Sequence, residues 1–271
     1  MNDTYIVTSY VVIDDILKAY GYEEDGRANS SASEILTVAV MAAKYFQNHH
    51  ERALYIMAGM GYVKTLSMSR FNRRLHALQD WLEGIVRLLT EVCRSGEVFI
   101  MDSMPLPVCK RVRARRCKKV RGKAFCGYCA AKKEKFFGWR LHLICTPAGV
   151  PVSFDLLPAS EQDLNPIHEL IFSLPQGAAV FADKGYVSEE DAKSILNTCG
   201  VRLVAIPRKN MAPLPWADDY DVRLYRRRIE TLYSQMEAMG LQHLRARTNH
   251  GFLLKVSASV LALALTNLIP N

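Results

Sequence analysis

The chain has 271 residues, 49% of them hydrophobic and 23% charged. That balance excludes a disordered or fibrous polymer and supplies apolar material for one large domain or two small ones. The formal net charge of +8 favours an acidic partner, and it is unevenly spread: residues 110–135 hold twelve Lys or Arg and one Glu, a local charge of +11, which leaves the rest at −3.

The opening Met1-Asn2-Asp3-Thr4 lacks the basic start of a secretory signal. The seven cysteines form no even disulfide framework, so reduced thiols in the cytoplasm are expected. Residues 1–95 read as a helical region. Val12, Ile13, Ile16 and Leu17 have helical spacing, and Ser33 is a candidate cap for a helix carrying Ile35, Leu36, Val38 and Ala39. A further helix through Ala53, Leu54 and Met57 stops at Gly59 and Gly61. The next begins after Ser67 and sets Arg70, Arg73 and Arg74 on one face at i, i+3, i+4. A short helix, a turn and a basic helix suit a helix-turn-helix-like DNA-binding unit, against the plainer reading of solvated arginines on an amphipathic helix.

From Glu97 the pattern becomes mixed. Residues 98–101 form a strand-like apolar run ending at Asp102. Residues 136–145 and 150–157 flank the turn Thr146-Pro147-Ala148-Gly149 and predict a hairpin. Strands follow at 178–182 and at 202–206, where Pro207 stops the chain, with a helix over 189–197 between them. A Pro-rich loop at 211–215 precedes a long helix over 222–239, ended by Gly240. The apolar stretch 252–269 is interrupted by Lys255, Ser257, Ser259, Thr266 and Asn267. It falls short of the roughly 20 apolar residues of a membrane span and reads as a buried core helix. Strand, hairpin, strand, helix, strand, helix is an α/β layout with a mixed sheet flanked by helices.

Asp102 leaves the first strand, Asp183 leaves the strand at 178–182, and Glu230 sits on the long helix. Three carboxylates supply the hard oxygen donors that suit Mg²⁺ or Mn²⁺. Two such ions activate an attacking oxygen and stabilise a leaving one in phosphodiester chemistry. Lys184 can meet a phosphate and Gly185 permits close backbone approach, or the two form an ordinary turn. Arg226, Arg227 and Arg228 stand one turn before Glu230, where bidentate phosphate contacts compete with a solvated helix face. In the basic segment, Lys110, Arg111, Arg113, Arg115, Arg116, Lys118 and Lys119 are candidate phosphate contacts, with Phe125, Tyr128, Phe136 and Phe137 available to stack on bases. Cys109, Cys117, Cys126 and Cys129 offer four thiolates for Zn²⁺, but a single Cys-x-x-Cys with irregular spacing argues against a zinc site.

The segments Ser69-Arg70-Phe71-Asn72-Arg73-Arg74-Leu75-His76, Met101-Asp102-Ser103-Met104-Pro105, Phe137-Gly138-Trp139-Arg140-Leu141-His142-Leu143, Ala182-Asp183-Lys184-Gly185-Tyr186 and Arg228-Ile229-Glu230-Thr231-Leu232-Tyr233 together resemble bacterial insertion-sequence DDE transposases, most closely the insertion-sequence 982-type family. The resemblance implies a ribonuclease-H-like core over 96–271, with the basic segment 110–135 as an insertion and the C-terminal helix packed on that core. It implies Asp102, Asp183 and Glu230 as catalytic, metal-binding residues with two Mg²⁺ or Mn²⁺ ions. It further implies binding of double-stranded DNA at transposon ends and target, and a homodimer in the DNA complex. Related transposases often place Tyr and Arg before the Glu and Lys seven residues after it. Here Arg226 keeps its place, but Arg223 and Glu237 stand where Tyr and Lys would be. A catalytically inactive DNA-binding regulator and a nuclease without strand transfer are the alternatives.

Overall fold

The computed structural model describes residues 1–129, 132–205 and 222–268. The end of the strand predicted at 202–206 and the loop at 211–215 lie outside the described residues. In chain order, helices α1 (Asp3–Ala19), α2 (Ala32–Phe46), α3 (His50–Gly59), α4 (Met68–Ala77) and α5 (Gln79–Val92) come first. Then follow β1 (Val98–Lys110), β2 (Cys126–Cys129), β3 (Glu134–Cys145), β4 (Pro151–Pro158), α6 (Ile167–Phe172), β5 (Ala179–Ala182), α7 (Glu189–Cys199), β6 (Arg202–Ala205), α8 (Val222–Ala238) and α9 (Asn249–Leu268). The chain divides into two compact units, Met1–Leu89 with the chain from Gln235 onward, and Thr90–Ser234.

The first unit is built around α2. Its apolar residues run all round the helix, so it must be covered on several sides. Helices α1, α3 and α9 pack against it. Each fully buried side chain such as Leu36 or Met41 contributes roughly 1.5–3 kcal/mol. The helix begins with a capping box: Ser31 Oγ accepts from the Glu34 N–H (3.1 Å), and the Glu34 carboxylate accepts from the Ser31 N–H (2.7 Å). The cap is therefore two residues earlier than the predicted Ser33, whose hydroxyl instead donates to Asp14 Oδ1 at 2.6 Å. Helix α9 is long and apolar enough by length and composition to cross a membrane, and here Phe252, Val256, Val260, Leu263 and Leu265 are buried. The sequence reading grouped this helix with residues 96–271. It packs on α2 instead, where the Tyr5 hydroxyl of α1 donates to the Ala262 carbonyl at 3.0 Å. The connection 60–67 between α3 and α4 is longer than the roughly 3–4-residue turn of a helix-turn-helix.

The second unit holds a six-stranded mixed sheet in the order β2-β3-β1-β5-β6, with β4 also paired to β3. Strand β1 runs antiparallel to β3 and parallel to β5, and β5 runs parallel to β6. Alternation along the strands puts Phe99, Met101, Val180, Ala182, Leu203 and Ala205 on one face, packed with Ile167, Leu170 and Ile171 of α6 and Ala192 and Ile195 of α7. Ala179, Phe181 and Val204 form the core of the other face, against Tyr225 of α8.

Strand β1 runs nine residues past the apolar stretch that predicted it. Pairing with β5 ends at Met101↔Ala182, whereas pairing with β3 continues to Lys110↔Phe136. Pro105 and Pro107 are accommodated on the stretch that β5 no longer flanks, where a missing N–H breaks no ladder. Gly138 of β3 meets the irregular register at Pro107/Cys109; a Cβ there would lie 2.3 Å from the Leu106 carbonyl.

Candidate active site

The last β1–β5 pair, Met101↔Ala182, precedes Asp102 on one strand and Asp183 on the other. The sheet thus delivers both aspartates side by side, Asp102 inside the long β1 and Asp183 just beyond the C-terminal end of β5. Parallel strands present their carboxyl ends as a common edge, the position at which open α/β sheets place their chemistry. The Ser103 N–H donates to Asp102 Oδ1 at 2.7 Å. Asp183 Oδ1 is enclosed and has no hydrogen-bond partner among the described residues. A buried carboxylate oxygen in that state is costly unless a cation or donor compensates it.

Helix α8 covers the neighbouring face. Tyr225 stacks on Phe181 with ring centroids 4.4 Å apart. Arg228 donates to the Ala148 carbonyl in the β3–β4 turn. Gly149 follows at φ +92°, and a side chain there would run into Arg228 and Leu232. Tyr233, one turn beyond Ile229, has an enclosed hydroxyl without a partner among the described residues. Burial first, and then the Asp102 charge, hold its phenol well above the ordinary range. Glu230 is exposed on this helix. Among the described residues no three His, Cys, Asp or Glu side chains come together as a metal-ligand group. The structure therefore brings together the two aspartates but does not add Glu230 to them, because the inward positions of this turn are taken by Leu232 and the Tyr233 hydroxyl.

A polar network absent from the sequence reading surrounds Asp102. Ser103 Oγ donates to Asp163 Oδ1 at 2.9 Å, and Arg140 Nη1 lies 3.4 Å from the same oxygen and 3.3 Å from Ser103 Oγ. His142, fully buried on β3, lies 3.1 Å through Nδ1 from the Tyr186 hydroxyl. Burial, then the nearby Asp163 and Asp102 charges, push the Tyr186 phenol far up. Burial pulls His142 down to about 4. At neutral pH His142 and Tyr186 therefore pair as uncharged groups. Arg140 and His142 alternate with Leu141 and Leu143, which marks them as sharing one strand face, but Asp163 lies in the polar stretch Ser160-Glu161-Gln162-Asp163, which carries no periodic signal.

The basic candidates separate. Arg70 and Arg73 are exposed and line a cleft of about 330 Å³ together with Arg27, Asp25 and Ser30. Arg74 is committed elsewhere: its Nη2 lies 2.6 Å from Glu24 Oε1 and 3.2 Å from the Ser30 carbonyl. A 3-10 helix, Arg111–Arg116, continues from β1 and exposes Arg111, Arg113, Arg115 and Arg116, with Lys110 and Lys118 exposed beside it and Lys119 half-buried. Arg227 is exposed, Arg228 is held by the turn, and the side chains of Lys184 and Arg226 lie outside the described residues. Of the aromatics expected to stack on bases, Phe136 and Phe137 are core residues, and Phe125 packs edge-on to Trp139 at 4.9 Å. Tyr128 is left at the surface, 51% exposed. Cys109 and Cys117 are neighbours, and burial with the adjacent Cys117 raises the Cys109 thiol. Cys126 and Cys129 lie at the ends of β2, and the four do not converge as a ligand group.

Residues 92–249, more than half of the chain, match the transposase DDE domain family. The chain belongs to that family. The matched region contains all of the mixed sheet and α8, and so both aspartates, Glu230 and the network around Asp163. A crystal structure of a pre-cleavage Mos1 transpososome is 10% identical over 89% of this chain and 98% of that chain, with a TM-score of 0.23. No curated protein matches the chain. Transposase DDE domains in general use divalent metal ions. Asp102 and Asp183 fit such an ion: hard oxygen donors on adjacent strands, one with an enclosed oxygen that has no partner among the described residues.

Proposed function

We propose that this protein is a DNA transposase of the insertion-sequence 982 type, which binds the ends of a mobile element, cuts them and joins their 3′ ends to target DNA. The observation that carries the reading is the delivery of Asp102 and Asp183 side by side at the sheet edge, one with an enclosed oxygen lacking a donor among the described residues. The strand order β4-β3-β1-β5-β6, antiparallel on one side of β1 and parallel on the other, supports a ribonuclease-H-like core. Asp102, Asp183 and Glu230 are the proposed triad, with Glu230 joining the aspartates when DNA is bound. These residues would hold Mg²⁺ or Mn²⁺, which would supply Lewis-acid polarisation of the scissile phosphate and activation of the attacking water or 3′-hydroxyl. The chain's own contribution is positioning. The Ser103 N–H fixes one oxygen of Asp102, and Tyr233 and α8 close the face behind it.

Exposed Arg111, Arg113, Arg115 and Arg116, with Lys110 and Lys118, supply backbone-phosphate contacts, and Arg70 and Arg73 supply a second set. Two copies of the chain hold the two ends of the element. The test incubates purified protein with labelled end DNA, target DNA and Mn²⁺, beside Asp183→Asn. Joined products that disappear in the variant support the reading. Binding without cutting makes the protein a regulator, and nicking without joining makes it a nuclease.

A further inference from the structure

The geometry points to Asp163 as a positioning residue that ties together the two aspartate-bearing strand ends. It lies in the connection between β4 and α6, far in sequence from both. One oxygen, Oδ1, accepts from Ser103 Oγ at 2.9 Å, and Ser103 is the residue whose N–H holds Asp102 Oδ1 at 2.7 Å. Arg140 Nη1 lies 3.4 Å from the same Oδ1 and 3.3 Å from Ser103 Oγ, so Ser103 and Asp163 share a donor fixed on the neighbouring strand β3. The other oxygen, Oδ2, faces the second strand end. A Cβ built on Gly185, two residues after Asp183, would lie 2.8 Å from it. Gly185 does not have the positive φ that requires glycine. Its missing side chain is explained by the close approach of Asp163, which has no room to retreat while Ser103 and Arg140 hold its other oxygen.

One carboxylate therefore anchors the Ser103 side chain, and with it the residue whose backbone N–H holds Asp102, and sets the spacing of the Asp183 turn through Gly185. Groups that orient a ligating carboxylate typically change metal affinity or activity by roughly 10–100-fold when removed. The inference rests on the proposed metal-dependent function, and it makes a claim that Asp163 as a direct metal ligand would not: the loss of Ser103 Oγ should do the same damage as the loss of Asp163.

The test measures Mn²⁺ binding to DNA-free protein by electron paramagnetic resonance of the free ion, cleavage of labelled end DNA, and thermal midpoints. Asp163→Ala and Ser103→Ala should each weaken Mn²⁺ binding by roughly tenfold. The double variant should be no weaker than either single one, because both break one chain of contacts. Asp163→Asn, which keeps an acceptor for Ser103, should retain most of the affinity. Gly185→Ala should lower the thermal midpoint, and adding Asp163→Ala should restore it. Loss of Mn²⁺ binding in Asp163→Ala and Asp163→Asn with Ser103→Ala unchanged would overturn the inference and make Asp163 a ligand. Asp163→Ala protein that binds Mn²⁺ and cuts DNA like the wild type overturns this inference alone. Wild-type protein that does neither defeats the proposed function as well.

Discussion

The two units handle enclosed polar groups differently. In the helical unit the buried atoms without a partner among the described residues are scattered and mostly neutral: Ser9, Ser30, Thr37, Asn48, Gln79 and Gln235, with His50 and the Arg74 Nε. In the sheet unit they are Arg140, His142, Asp183, Arg228 and Tyr233, all ionisable and drawn from β3, the end of β5 and α8. Scattered hydroxyls in a packed helical core are small local costs. Among the ionisable groups Asp183 stands apart: its Oδ1 has no partner among the described residues, whereas Arg140 is held by Asp163 and Arg228 by the Ala148 carbonyl. Under the proposed function the chemistry belongs to the sheet unit, and substitutions in the two units should report differently.

The largest expected effect belongs to the sheet unit. Asp102→Asn and Asp183→Asn should each slow DNA cleavage by on the order of 10²–10³-fold, as measured on labelled end DNA. The Asp183→Asn thermal midpoint should not fall, since the variant removes an enclosed, unpartnered charge. A lower midpoint would mean that Asp183 is a structural residue and would dissolve the contrast. Glu230→Gln should lose cleavage to a similar extent; a variant that still cuts would move the third acid elsewhere on α8.

The complementary change is Leu36→Ala in α2, a fully buried position. It should cost about 2–5 kcal/mol by urea denaturation, with the cleavage rate per folded molecule unchanged. A specific loss of chemistry would show that the helical unit is more than a scaffold.

Acid should act on both units alike and so narrow the contrast. His50 in the helical unit is pulled down to about 3 and His142 in the sheet unit to about 4, in each case first by burial. Below the ordinary histidine value near 6.5 the unfolded chain takes up protons that the folded chain refuses. Stability is therefore fully present above about pH 6.5 and declines as the pH falls toward the folded values. Each group should remove about 2 kcal/mol between pH 6.5 and 5, read from urea midpoints. His50→Gln should flatten that dependence, and a protein more stable at pH 5 than at pH 7 would contradict it.

The smallest effects divide the arginines of α4. Arg70→Ala with Arg73→Ala should reduce the slope of log affinity for DNA against log salt by about 2. Arg74→Ala should leave that slope alone and cost about 1 kcal/mol or less of stability through Glu24.

The sequence shows the aspartates because each follows a short apolar run, although only β5 ends there. It conceals the length of β1, because Pro105 and Pro107 read as breakers until β5 is seen to end beside Met101. The α2 cap was misplaced by two residues because Ser31 and Ser33 are both competent caps, and their partners Glu34 and Asp14 decided between them. Arg74 shares its helical face with Arg70 and Arg73, but Glu24 lies fifty residues earlier, where local spacing says nothing. Asp163 was invisible for the same reason: its partners come from β1, β3 and the turn after β5. Burial of α9 was legible from its composition, but the surface that covers it was not.

The length of β1 has a metric consequence. From Asp102 to Lys110 the strand advances eight residues without leaving β3, a span of about 26 Å at roughly 3.3 Å per residue. A duplex rises about 3.4 Å per base pair, so this distance corresponds to about eight base pairs. Under the proposed function, a phosphate held at Lys110 and a bond presented to Asp102 would be separated by a strand paired along β3 rather than by a slack loop.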